Sequence, residues 1–222
     1  MIKAIYFVKR KPGIEVTAFQ KYWITTHADV VSKVPDLRRY IQCHTLLSGY
    51  RKGQPVYDGV AEMWFDDIES MRRLATSAES KAAVADDYNF IAMPMKFILT
   101  REIVQKESAT DPSMVKLVEF LFRKPGMDFE RFQNHWGKIH GPLAAKIPVM
   151  RRYVQSHVLA YAYRDGRQPA YDGVAEVWFD STDAMRASEK TAEYAATRAD
   201  EPNFLDASTF KFIITKEHTI IG

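Results

Sequence analysis

Residues 57–65 read Tyr-Asp-Gly-Val-Ala-Glu-Met-Trp-Phe, and residues 171–179 repeat them with Val177 in place of Met63. Eight of nine positions match, so the chain carries an internal repeat whose unit must be found before any fold is assigned. Working outward, Arg10-Lys11-Pro12-Gly13 recurs as Arg123-Lys124-Pro125-Gly126, and Arg38-Arg39-Tyr40-Ile41-Gln42 recurs as Arg151-Arg152-Tyr153-Val154-Gln155. The spacing is 113 for these two pairs and 114 for the first, which places a one-residue insertion in the turn at residues 164–168. Residues 105–113 between the copies are polar and bear Pro112, the composition of a linker. The expected domains are a first repeat at 1–104, a linker at 105–113 and a second repeat at 114–222.

Each copy reads strand, helix, strand, strand, helix, strand. In the first, residues 2–9 are β-branched and aromatic, as a strand requires, and Lys11-Pro12-Gly13 makes a turn. Helical periodicity over residues 15–33 ends at Pro35. Strands at 38–47 and 57–65 flank a loop of turn formers, Asp66-Asp67 caps a second helix, and residues 95–101 form the last strand. The second copy repeats this at 114–122, 128–146, 150–161, 171–179, a helix from Ser181, and 209–216. That order is the split βαβ, or ferredoxin-like, unit, whose sheet carries helices on one face only. The strands are nevertheless apolar on both faces, with Ile5 and Phe7 alternating with Tyr6 and Val8. The expected fold is therefore α+β: two ferredoxin-like βαββαβ repeats fused into a pseudo-dimeric α+β barrel with helices outside.

Composition narrows the function classes. A chain of 222 residues with 46 % hydrophobic and 27 % charged residues has the profile of a globular protein with a substantial core. Its 31 basic and 28 acidic residues give a net charge of +3 with no basic cluster, which argues against nucleic acid as a partner. The pairs Arg10-Lys11, Arg38-Arg39, Arg123-Lys124 and Arg151-Arg152 read as solvated strand ends. The single Cys43, matched by Ser156 in the second copy, excludes a disulfide framework and suits a reducing compartment. The apolar run at residues 2–8 is too short for a signal peptide or membrane span, so a cytoplasmic protein without a membrane partner is expected. There is no glycine-rich phosphate loop and no Cys–His cluster of zinc spacing, so neither cofactor nor metal is expected.

The chemistry-bearing residues begin with two histidines. Residues 135–143 read His-Trp-Gly-Lys-Ile-His-Gly-Pro-Leu, and their counterpart at 22–30 reads Tyr-Trp-Ile-Thr-Thr-His-Ala-Asp-Val. Helical positions four apart share a face, so Phe132, Trp136, His140 and Leu143 form one stripe, and Phe19, Trp23, His27 and Val30 another. Pro142 disfavours helix at the residue before it, which places His140 at the helix end. A single histidine on an apolar stripe is as readily a core group as an acid or base; its appearance on the same stripe in both copies favours the functional reading.

Carboxylates form the second element. Glu62 and Glu176 occupy the middle of the repeated strand, where alternation sets Glu176 among Val174 and Trp178. A buried carboxylate must be hydrogen-bonded, paired or protonated, and burial raises its pKa toward the range of a general acid or base. The competing reading is an ion pair with Lys96, Lys211 or an arginine at a strand end. Glu119 stands on the first strand of the second copy where Tyr6 stands in the first, and on a shared face it would share a proton with Glu176. The expected catalytic groups are His140, Glu176 and Glu119 in the second half and His27 and Glu62 in the first. Substrate contacts are expected from His135, Trp136, Tyr153, His157 and Trp178, and from Trp23 and Tyr40. With Tyr6 and Tyr22 where the second half has Glu119 and His135, the second pocket is the richer. The alanine-rich helices at 77–87 and 190–198 read as solvated surface.

On these motifs the tandem unit resembles the EthD domain of the dimeric α/β-barrel superfamily, over residues 1–102 and 114–217. The best match is the His-Trp … His-Gly-Pro-Leu run at 135–143; the first copy departs from it at Tyr22 and Ala28-Asp29. The resemblance implies a small, apolar, often aromatic substrate held between the first helix and the sheet of each half. Relatives by fold include cofactor-free oxygenases, polyketide cyclases, muconolactone isomerase and haem-degrading enzymes, with EthD-like dehydratases in polyketide pathways. The expected function is a cofactor-independent lyase, dehydratase or isomerase acting on a small apolar, aromatic or polyketide-like compound. The alternatives are a cofactor-free or haem-dependent oxygenase, with His27 or His140 as haem ligand, and a small-ligand-binding protein without turnover. A homodimer of the fused barrel is the expected protein partnership.

Overall fold

The computed structural model describes residues 1–222 and divides into two compact units, Met1–Leu99 with Glu217–Gly222, and Thr100–Lys216. The first contains strands β1 (Ile2–Val8), β2 (Arg39–Thr45) and β3 (Gly59–Phe65), with helices α1 (Val16–Tyr22), α2 (Ala28–Val31), α3 (Ile68–Leu74) and α4 (Ala78–Phe90). Strand β4 (Lys96–Lys106) begins in this unit and runs on into the second. There follow β5 (Val115–Leu121), α5 (Phe129–His135), α6 (Gly141–Ala144), β6 (Arg152–Val158), β7 (Gly173–Phe179), α7 (Thr182–Ser188), α8 (Ala192–Asp200) and β8 (Lys211–Ile221), whose last residues return to the first unit. The eight strands pair in the order β1-β3-β2-β8-β5-β7-β6-β4 and close into a barrel. The fold is thus two ferredoxin-like repeats fused into an α+β barrel. Closure leaves no unpaired sheet edge, and every residue of β7 is buried, as its two-faced apolar sequence requires.

The last strand of each repeat is longer than its apolar run. β4 was expected to end at residue 101 and β8 at 216; they reach Lys106 and Ile221. Gln105 and Lys106, expected in a linker, belong to β4 because their polar heads are satisfied there. Gln105 Nε2 donates to Gly137 O at 2.7 Å, and Lys106 Nζ to Ile147 O at 2.8 Å.

The first helix of each repeat corrects a second expectation. It does not end at His140. A π-helical turn, Trp136–His140, joins α5 to α6, and Gly141 before the proline is helical with φ −55 and ψ −54. Pro142 sits in the first turn of α6, where its missing N–H costs no hydrogen bond. The same turn, Trp23–His27, occurs in the first half without a proline. A π turn adds one residue per turn, so the buried face beyond it moves on by one. Val31 and Ala144 are buried, whereas Val30 and Leu143 are only half-buried. The amides of Gln42 and Gln155, on β2 and β6, each donate to the carbonyl of the tryptophan opening the turn, at 2.8 Å.

The repeated motifs are scaffold. A Cβ on Gly59 would lie 2.7 Å from the Trp23 ring, and one on Gly173 2.4 Å from Trp136, so only glycine lets the helix tryptophan pack onto the strand. Asp58 accepts from the Arg10 backbone N–H at 2.9 Å and from its guanidinium, and Asp172 treats Arg123 identically. Arg10 and Arg123 are therefore partly buried clamps and not solvated strand ends. Arg38 and Arg151 do lie exposed, paired with Asp66 and Asp180. The cap is Asp67, which accepts from Ser70 N at 2.7 Å and opens α3. No helix is long and apolar enough to cross a membrane.

Candidate functional site

In the first half the π turn brings His27 against the C-terminal part of α4. His27 Nδ1 and Asp86 Oδ2 are 2.8 Å apart, and Tyr22 Oη donates to Asp86 Oδ1 at 2.6 Å with Asn89 Nδ2 at 3.0 Å. Burial opposes ionisation of Asp86, but the hydrogen bonds from Tyr22, His27 and Asn89 outweigh it and hold the carboxyl below its usual range. An ionised Asp86 fixes the Nδ1–H tautomer of His27 and leaves the Nε2 lone pair available. Burial pushes the His27 pKa down, with Asp86 partly opposing, so the imidazole is neutral at neutral pH. Nε2 faces Asp87 Oδ1 at 3.6 Å. Burial, reinforced by the charge of Asp86, raises the Asp87 carboxyl to about 7.

His27 and Asp87 both line a cavity of about 170 Å³ in this unit. Its walls are mostly aliphatic, including Val31, Leu37, Met63, Met71, Leu74 and Val84, while its polar groups are Tyr6, His27, Tyr40, Ser80 and Asp87. The Tyr40 hydroxyl accepts from Trp23 Nε1 at 3.2 Å and from Gln42 Nε2 at 3.0 Å. Both lone pairs are then used, and the hydroxyl hydrogen is left to donate. Burial raises the Tyr40 phenol, and it raises Tyr6 to about 12 with help from Asp87, so both stay protonated donors. Trp23 and Tyr40, named from the sequence as substrate contacts, both line the cavity.

The second half builds the same frame with a different filling. His140 Nδ1 lies 3.1 Å from Asp200 Oδ2, His135 Nε2 lies 2.9 Å from Asp200 Oδ1, and Asn203 donates to the same carboxylate at 3.0 Å. Tyr22 and His135 therefore do one job, orienting an aspartate, and the tyrosine does not weaken the first site. Where the first half has Asp87 and Val84, the second has Glu201 and Arg198, joined at 2.6 Å. Burial and the Glu201 charge, opposed by Arg198, raise half-buried Glu119 to about 7. The cavity lined by a histidine of this pair is in the first half, opposite to the richer second pocket expected from the sequence.

The strand carboxylates are corrected more sharply. Glu176 pairs in register with Val118, and Glu119 with Ala175, so Glu119 and Glu176 point to opposite faces of the sheet and cannot share a proton. Glu176 is fully buried against Lys116 Nζ at 2.6 Å and accepts from Ser156 Oγ at 2.7 Å. Glu62 faces Lys3 at 3.5 Å. The partners are lysines of the neighbouring first strands, not Lys96 or Lys211, and each also lies over the ring of Trp64 or Trp178, at 4.7 and 4.6 Å. Trp178 is accordingly on the Glu176 face, away from Trp136, Tyr153 and His157. Those three form a buried network: Trp136 Nε1 donates to Tyr153 Oη at 3.2 Å, Gln155 bridges Tyr153 and His157, and the His157 ring stacks on Trp136 at 4.3 Å. Burial lowers His157 to about 4, which keeps it a neutral scaffold group.

Asp86, Asp87 and Asp200 were missed because α4 and α8 read as solvated surface. A signal was present: Asp86-Asp87-Tyr88-Asn89-Phe90 and Asp200-Glu201-Pro202-Asn203-Phe204 share Asp, Asn and Phe at one spacing. Phe90 and Phe204 pack on His27 and His140, with ring centroids 4.8 and 4.7 Å apart.

Two prosthetic-group readings can be tested on this geometry. His27 would offer a haem iron only Nε2, which faces Asp87, and a cavity of about 170 Å³ does not admit a tetrapyrrole. Cys43, Glu62 and Glu217 bring ligand atoms within 4.8 Å of one another, but the Lys3 ammonium already stands beside Glu62 at 3.5 Å.

No protein of curated function matches the sequence. Among solved structures, an anthrone oxidase-like protein superposes with a TM-score of 0.68 at 11 % identity, covering 99 % of this chain and 92 % of that one. A protein provisionally described as a monooxygenase, from Lactobacillus acidophilus NCFM, gives 0.56 at 14 % identity, covering 99 % and 93 %. A mutant chlorite dismutase from Candidatus Nitrospira defluvii gives 0.54 at 7 % identity, covering 99 % and 92 %. At these identities the likeness is one of fold. The sequence itself matches the model of the EthD domain twice, over residues 11–94 and 124–208, and the chain belongs to the EthD domain family with two copies in tandem.

Proposed function

We propose that the protein is a proton-transfer enzyme of lyase or isomerase type, working on a small apolar compound in the first-half cavity without a cofactor in the proton-transfer steps. The observation that carries this reading is a neutral imidazole, oriented by Asp86, beside a carboxyl raised to about 7, both lining one apolar cavity. His27 Nε2 takes a proton from a carbon next to the substrate carbonyl, and the oxygen that gains charge accepts from the Tyr40 hydroxyl. Protonated Asp87 then delivers its proton. Given to a β-hydroxyl, it releases water as the C–O bond breaks and a C=C bond forms; given to a distant carbon, it completes an isomerisation. Asp86 touches no substrate and acts as a positioning residue. Two structural neighbours, one described as a monooxygenase and one as anthrone oxidase-like, favour a second outcome, in which the same deprotonated substrate reacts with dioxygen.

The test follows exchange of the α-hydrogens of 2-cyclohexenone in D2O by proton NMR. The protein should accelerate exchange with a bell-shaped pH profile. The acid limb marks His27, lying below the ordinary imidazole value, and the alkaline limb near 7 marks Asp87, whose ionised form would oppose the negative charge that builds on the substrate as its α-hydrogen leaves. Asp87→Asn should remove the alkaline limb. Exchange no faster than in buffer, or an alkaline limb that survives Asp87→Asn, contradicts the reading.

A further inference from the structure

Taking the first-half cavity as the site just described, we propose that it accepts a molecule of single-ring size that carries no negative charge, and that Val84 sets that selectivity. The size argument comes from the volume. An apolar cavity of about 150 Å³ holds one benzene, and this one is about 170 Å³. A fused tricycle would have to leave most of its surface outside.

The charge argument comes from the lining. No lysine or arginine faces the cavity, and its acidic end presents Asp87 with the ionised Asp86 behind it. A carboxylate or phosphate on the ligand would be buried next to like charge without a counter-ion. A neutral hydroxyl or carbonyl meets no such cost, because Tyr40 can donate to it.

The role of Val84 emerges from the duplicate. Val84 lines the cavity yet is 53 % exposed, so it stands at the mouth. Arg198, its counterpart, reaches three residues on to Glu201, just past the end of α8, at 2.6 Å and lies over the Phe210 ring at 5.4 Å. The same helical spacing separates Val84 from Asp87. An arginine at position 84 would therefore lie across the mouth and pair with Asp87. The aliphatic side chain keeps the entrance open and the site free of cations.

The experiment titrates the full chain with 4-methylphenol, 4-methylbenzoate and anthrone, following tryptophan fluorescence with calorimetry as a check, because Trp23 lines the cavity. Saturable binding of 4-methylphenol should be at least tenfold tighter than that of the other two. Val84→Arg should weaken it tenfold or more, while Tyr88→Arg, which adds the same charge at an exposed position of the same helix outside the cavity, should keep it within threefold. The inference is overturned if 4-methylphenol does not bind saturably, if 4-methylbenzoate or anthrone binds as well, or if Val84→Arg binds like the unaltered protein. Binding is read without turnover, so the two proposals separate. A protein that binds 4-methylphenol selectively but exchanges no α-hydrogen contradicts the reaction alone, and one that exchanges but shows no selectivity contradicts this inference alone.

Discussion

The two halves hold a histidine in the same way and use the space beside it differently. Each has a π turn ending in histidine, an aspartate on Nδ1, a second donor to that aspartate and a phenylalanine under the imidazole. In the first half the next acid, Asp87, opens into an aliphatic cavity; in the second, Glu201 is tied to Arg198. The oriented histidine therefore belongs to the shared frame, and the halves differ at three positions around it: 6 and 119, 84 and 198, 87 and 201. Counting polar residues, which favoured the second half, misleads here. Additional charged groups satisfy one another, and a working acid needs to be left beside empty space.

The largest expected effect tests the frame. Lys116→Met takes the ammonium away from a fully buried Glu176 and should cost about 3–5 kcal/mol in chemical denaturation at pH 7. Lys3→Met should cost less, because Lys3 stands 3.5 Å from Glu62 against 2.6 Å for Lys116 and Glu176. Equal losses would mean that the two ion pairs are energetically alike in spite of that difference.

Next comes the acid. The folded pKa of Asp87, about 7, lies above its ordinary value of 3.8, so between these values the folded protein binds more protons than the unfolded chain. Stability of the unaltered protein should then fall as pH rises through that window. Asp87→Asn lacks this slope and should gain on it by roughly 2–4 kcal/mol by pH 8. Glu201→Gln should gain less, since it also removes the partner of Arg198. Denaturation curves at pH 5 and pH 8 measure both differences, and a parallel response of the two variants would erase the distinction drawn between the halves.

The smallest effect concerns what the halves share. Gly59→Ala and Gly173→Ala each push a methyl into a tryptophan ring and should each destabilise by about 1–3 kcal/mol. A loss at only one of them would show that the helix seats differently on the two sheets.

The repeat, the βαββαβ order and the barrel were legible because strand alternation and turn residues are local signals. His27 and His140 were legible as well, from their place on an apolar stripe. The π turn was not, since no residue type demands it; it is held by Gln42 and Gln155 from distant strands. The carboxylates were misread because alternation tells that Glu176 is buried but not which lysine meets it. Asp86 and Asp87 escaped notice because an alanine-rich, charged helix looks solvated until its partner is placed against it.

The central claim is that His27 works and His140 does not. The most direct measurement is the rate of α-hydrogen exchange of 2-cyclohexenone in D2O for His27→Ala and His140→Ala, side by side at the pH optimum. The account predicts a loss of about 10²-fold or more for His27→Ala, the usual scale for removing a general base, and a rate within about threefold of the unaltered protein for His140→Ala. Equal losses, or the larger loss at His140, would contradict it.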